Sequence, residues 1–182
     1  MSDMKIPTAN ALPDLTSAPA QSETEACPMP SQAQSPDDDL LAESLASAAT
    51  IAIVGASPND ARTSHQIAVW LMENTHLEVF LINPAAGAAD ILGRGFYESI
   101  AELPTPPDIV NVFRRSEFVD SIADEAIAAD ARMLWLQLGI VNDAAIDRAR
   151  DAGLVGVQNR CIKVEYARLQ HEIDEARAEQ DS

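Results

Sequence analysis

Apolar residues in this chain come in short unbroken runs, separated by polar turns and by stretches with helical spacing. Residues 51–55, 78–82, 94–97, 108–113, 132–138 and 154–158 have the length and composition of strands. Residues 64–74, 98–103, 116–129 and 142–152 have helical spacing between them, and a final helix is predicted over 163–178. Runs as apolar as Ile109-Val110-Asn111-Val112-Phe113 suit strands covered on both faces. Strand-helix alternation with such runs predicts an α/β fold: a doubly wound parallel sheet of five or six strands in a three-layer α/β/α arrangement. No internal repeat is visible.

Upstream, residues 1–34 lack any apolar period and are rich in Pro, Ser, Ala, Thr and Gln. They are expected to form a disordered acidic tail ahead of a single folded domain over 35–178. Ser35-Pro36-Asp37-Asp38-Asp39 has the order of an N-cap, a proline in the first turn and acids against the helix dipole. It predicts a short helix through Leu40, Leu41 and Leu45, packed on the sheet edge.

In an open parallel sheet, ligands bind beyond the carboxyl ends of the strands, where strand order reverses. Those ends are polar here. The first strand empties into Gly55-Ala56-Ser57, the second into Asn83-Pro84 and the fourth into Arg114-Arg115. The fifth yields Gln137 and Gly139, and the sixth Asn159-Arg160-Cys161 with Lys163. Gly55 lets the backbone turn sharply, and the helix that follows directs its amides and positive dipole end back at the turn, which suits a phosphate. Thr63-x-x-Gln66 has capping-box spacing and would leave the Ser57 and Ser64 hydroxyls free to donate. Each feature alone is as much a turn or helix start as a site. Together, with arginines and lysine on one edge, they suggest a polyanionic ligand.

Charge narrows the ligand class. The net charge is -17, and residues 1–49 alone hold eight acids against one lysine. No basic stripe interleaved with aromatics is present, so nucleic acid is set aside. No apolar run reaches the ~20 residues of a membrane span, and the amino terminus does not read as a signal peptide. Cys27 and Cys161 form no C-x-x-C pair, so a cytoplasmic protein without structural zinc is expected. His65, His76 and His171 show no metal spacing and are read as surface or helix-cap histidines, and Trp70 and Trp135 as core. A nicotinamide site needs an acid about 20 residues past the glycine turn. Asn83 stands there instead, so an NAD(P)-linked oxidoreductase is an alternative lacking its ribose acid. A second alternative is a thiol or acyl exchange enzyme that uses Cys161.

The segments IAIVGASPNDARTSHQIAVWL, INP, DIVNVFRR, WLQLGI and NRCIKVEYARL, in this order, resemble the small coenzyme A-binding domain proteins over residues 50–169. Those proteins are similar to the Rossmann-like coenzyme A-binding domain of the succinyl-CoA synthetase alpha subunit. The resemblance implies a module that binds coenzyme A or an acyl-CoA, acting as a sensor, a carrier or the subunit of an unidentified protein partner. It implies phosphate contacts from Gly55, Ala56, Ser57, Arg62 and Ser64, with Asn83 and Pro84 flanking the nucleotide. Phe113 and Arg114 would line the adenine or pantetheine path, Gln137, Gly139 and Cys161 would close the far side, and Arg115 and Arg160 are further candidates for cofactor binding. The chain departs from the family at Asn159, where an aspartate is usual. No histidine lies in a glycine-rich phosphohistidine loop, so a complete acyl-CoA ligase is excluded on this chain alone.

Overall fold

The computed structural model describes residues 36–180, which lie within one compact unit, Gln32–Ser182. The readings made for residues 1–34, Ser35 and Cys27 fall outside the described residues. Within them, helix α1 (Asp38–Ser47) leads to strand β1 (Thr50–Val54), helix α2 (Thr63–Asn74) and strand β2 (Glu78–Ile82). A hairpin of β3 (Asp90–Ile91) and β4 (Arg94–Tyr97) follows, then β5 (Ile109–Val112), α3 (Val119–Ala128) and β6 (Met133–Leu136). Helix α4 (Asp143–Asp151), strand β7 (Val155–Val157) and helices α5 (Ile162–Arg168) and α6 (Gln170–Gln180) complete the order.

The strands form one sheet in the order β3-β4-β2-β1-β5-β6-β7, parallel throughout except for the antiparallel β3-β4 pair. The expected Rossmann-like doubly wound sheet is present, with seven strands among the described residues where five or six were expected. The additional strand is β3, whose two residues are too few to leave a period in the sequence.

Alternate side chains along each strand divide between two cores. Ile51, Ile53, Val79, Leu81, Ile109, Met133 and Trp135 meet α1, α2, α5 and α6 on one face. Ala52, Phe80, Val110, Val112, Leu134 and Leu136 meet α3 and α4 on the other. Burial on both faces explains why the strands read as unbroken apolar runs.

Four local expectations are corrected. Asp37, not Ser35, caps α1: its side chain accepts the Leu40 amide at 2.9 Å, and the helix begins at Asp38. This helix lies on a sheet face against α6 rather than on the sheet edge, with Leu41 and Leu45 fully buried. The segment 98–103 forms only a 3-10 turn, Ile100–Glu102, because Pro104 pushes Leu103 into an extended conformation. The final helix is two helices broken at Leu169, which is buried together with Ile173 of α6.

Candidate functional site

Strand β1 is hydrogen-bonded to β2 on one side and to β5 on the other, so the order of the chain reverses at its carboxyl end. A crevice opens there. Gly55 begins it with a left-handed φ of 87°, and its amide donates to the Ile82 carbonyl at 2.9 Å. A Cβ at this position would stand 2.9 Å from Arg114 Cδ and 3.1 Å from the Phe113 carbonyl oxygen. Both the backbone angle and the close passage of the chain leaving β5 therefore require glycine.

Beyond Gly55 the loop is wound tightly on itself. The Asn59 amide donates to Ser57 Oγ at 3.2 Å, the Ala61 amide to Asn59 Oδ1 at 2.9 Å, and the Arg62 amide to the Asn59 carbonyl at 3.0 Å. His65 Nδ1 lies 3.1 Å from the Ser57 carbonyl, which fixes a ring N–H there. The predicted capping box does not form. Thr63 is already inside the helix, the N-cap is Arg62 without a capping side chain, and Gln66 reaches the Asp60 carbonyl at 3.2 Å. The amides of Thr63 and Ser64 accordingly have no acceptor among the described residues. Ser64 is only 7% exposed, and its hydroxyl also has no partner there. Unpaired amides at the positive end of a helix dipole, with a hydroxyl beside them, can take an anion.

The other strand ends meet this turn unequally. Asn83 is a fastener: Nδ2 donates to the Ala56 carbonyl at 2.8 Å and Oδ1 accepts the Ala85 amide at 3.0 Å. Pro84, Arg114 and Gly55 share a groove of about 200 Å³. Arg114 is exposed and lies 5.0 Å over the Phe118 ring, whereas Arg115 is drawn aside to Glu117 at 3.6 Å. Phe113 is half-buried against the α2-side core. Gly139 turns with a φ of 84° and donates its amide to Asn159 Oδ1 at 2.8 Å, so Asn159 holds a turn together.

Arg160 lies 3.6 Å from Glu165, and its carbonyl accepts the Trp135 indole N–H at 2.8 Å. Cys161 is the half-buried N-cap of α5 and packs on the same core as Phe113. Arg62 is exposed. Gly55, Phe113 and Arg114 are thus brought into contact, and Ala56 joins Asn83, while Arg115 is directed elsewhere.

Sequence reasoning missed Ser99 and Phe118 in the groove wall and the buried Asn111 within β5. Asn111 did carry a signal, a lone amide in an apolar strand. The histidine reading also needs correction. His76 is no surface residue, because its ring is half-buried between the Tyr166 hydroxyl at 2.9 Å and the Ala48 carbonyl at 2.8 Å. Among the described residues, no cluster of His, Cys, Asp or Glu is arranged to hold a metal, and no helix is long and apolar enough to cross a membrane.

Comparison with known proteins places this geometry. The chain is 37% identical over 134 residues to YneT of Bacillus subtilis (strain 168), an alignment covering 74% of this chain and 97% of that protein. A hypothetical protein from Pyrococcus horikoshii OT3 superposes with a TM-score of 0.68 at 31% identity, over 74% of this chain and 93% of that one. The protein described as cell-free ID.343 from Thermus thermophilus superposes with a TM-score of 0.69 at 30% identity, over 74% of this chain and 99% of that one. Residues 49–167, from the residue before β1 into α5, match the CoA binding domain, and with the glycine turn, the uncapped helix and the sheet order all inside that span, the chain belongs to the CoA-binding domain family.

Proposed function

We propose that this chain binds coenzyme A, or an acyl-CoA, at the carboxyl edge of its sheet and serves as a cytoplasmic carrier or sensor module. The observation that carries this reading is the start of α2. A helix of 12 residues follows the Gly55 turn without a capping side chain, and in its first turn stands the buried residue Ser64, whose hydroxyl has no partner among the described residues. A phosphate of the ligand accepts from those amides and from the Ser57 and Ser64 hydroxyls, with Arg62 supplying counter-charge from the surface. Arg114, with no carboxylate partner among the described residues, offers a second cation beside the groove. Ala56, Asn83 and Pro84 flank the nucleotide. Phe113 and Arg114, with Arg115 further out, line its path, and Gln137, Gly139, Arg160 and Cys161 close the far side.

Calorimetric titration with coenzyme A, dephospho-coenzyme A and NAD tests the ligand class, with coenzyme A expected to bind most tightly. Changing Ser57 and Ser64 together to alanine removes two donors to one phosphate, each worth about 1.5–3 kcal/mol. A loss of at least about tenfold in coenzyme A affinity is expected. Unchanged affinity would put the phosphate elsewhere.

A further inference from the structure

β5 holds a buried amide with one N–H left unpaired among the described residues. Asn111 is fully buried, flanked in register by Ile53 of β1 and Trp135 of β6. Its Oδ1 accepts a hydrogen bond from Gln137 Nε2 at 2.9 Å, while its Nδ2 has no partner. An unpaired N–H at such a position costs stability that an apolar side chain of equal size would not. Gln137, 3% exposed, is two residues beyond Trp135 on the same sheet face. It stands in the row of Gly55 and Phe113, and Asn111 in the row beneath. With Nε2 committed to Asn111, the other end of the Gln137 amide, Oε1, has no hydrogen-bond partner among the described residues.

We infer that Asn111 is a positioning residue, which locks the Gln137 amide so that its carbonyl oxygen meets an N–H donor of the bound ligand. The inference rests on the coenzyme A reading of this edge. Coenzyme A carries such donors in two places, the pantetheine amides and the adenine amino group, and a lone phosphate carries none. A glutamine held in one setting discriminates donor from acceptor, whereas a free amide rotates to suit either.

The test measures affinity for coenzyme A and for adenosine 3′,5′-bisphosphate, which lacks pantetheine. Asn111→Leu is expected to weaken coenzyme A binding about threefold to tenfold, the value of a neutral hydrogen bond. Its melting temperature is expected to change little, because loss of the unpaired Nδ2 offsets loss of the acceptor of Gln137 Nε2. Asn111→Asp, which still accepts from Gln137, is expected to bind within about twofold of the wild type, a span smaller than one neutral hydrogen bond. Adding Asn111→Leu to Gln137→Leu should cost nothing further, because the first residue acts through the second.

A loss confined to coenzyme A assigns the donor to pantetheine; an equal loss with the bisphosphate assigns it to adenine. Full affinity in Asn111→Leu, or additive losses in the double variant, overturns the inference while wild-type binding leaves the proposed function standing. A wild-type protein that binds neither ligand overturns both. If Asn111→Leu does not fold, the Gln137 side-chain amide protons of the wild type are followed by NMR. They should exchange slowly and move little when coenzyme A is added. A large shift with new protection would show that Nε2 faces the ligand, and would also overturn the inference.

Discussion

At the amino edge of the sheet, Asp108 accepts the Ala49 amide at 2.7 Å, the Thr50 amide at 3.0 Å, the Thr50 hydroxyl at 3.1 Å and Arg132 Nε at 2.9 Å. At and just below the carboxyl edge, the Thr63 and Ser64 amides, the Ser64 hydroxyl and Asn111 Nδ2 have no partner among the described residues. The amino edge does contain a larger hollow, about 360 Å³ beside Ser44, Asp108, Arg132 and Gly153. Its Asp108 and Arg132 are already paired, Arg132 also reaching the Ser47 carbonyl at 2.6 Å, and outside it His76 joins Tyr166 to Ala48. Burial, reinforced by nearby Asp174, pushes the Tyr166 hydroxyl up to about 12, so it stays protonated as a hydrogen-bond partner for His76. The size of a hollow is therefore a poor guide to a site. Unpaired donors are a better one, because an edge that only stabilises the fold satisfies its own polar groups.

If the edges divide the work in this way, Gly55→Val should have the largest effect. It forces a branched side chain into a left-handed backbone and against Arg114, at a cost of about 1–3 kcal/mol. Calorimetry should show coenzyme A affinity reduced more than tenfold, together with a lowered melting temperature. A variant that binds normally would mean that this turn is not the phosphate site.

Asp108→Asn should do the opposite, lowering stability by about 2–4 kcal/mol while the folded protein keeps its affinity. Denaturant unfolding beside a binding titration separates the two quantities. The same variant has a pH signature. Burial works against the Asp108 carboxylate, but the Ala49 and Thr50 amides and the Arg132 charge outweigh it and hold its pKa below the usual range. A depressed folded pKa gives stability that is fully present above the unfolded value of about 3.9 and is lost as pH falls through the folded value. Wild-type stability should thus fall across that acid window, and Asp108→Asn should fall less steeply.

The smallest effect belongs to the surface tie between α1 and α5. Arg168 pairs with Asp38 at 2.6 and 2.7 Å, and this hydrogen bonding holds the Asp38 carboxyl below its ordinary value. Because the pair is exposed, Asp38→Asn should move the melting temperature by no more than about 2 °C. A larger shift would show that the contact orders α1 on the sheet.

Much of this protein was legible before folding was considered. The apolar runs fixed the parallel sheet, since a strand buried on both faces must be apolar along its whole length, as Ile51, Ala52 and Ile53 are. The polar strand ends pointed to the ligand edge, and Gly55 stood out because few residues other than glycine turn so sharply. Capping and pairing were not legible. Thr63 and Gln66 have capping-box spacing yet lie one position too far into the helix, and Arg115 resembled Arg114 until Glu117 drew it aside. Asn111 showed in the sequence only as a lone amide in an apolar run, and the role inferred for it depends on Gln137, 26 residues away. Local sequence determined the strands, the turns and the polar edge proposed to bind a ligand, because these follow from burial period and backbone preference. Only the tertiary structure decided which polar groups remain unpaired, because a donor's partner comes from whichever strand or loop packs beside it.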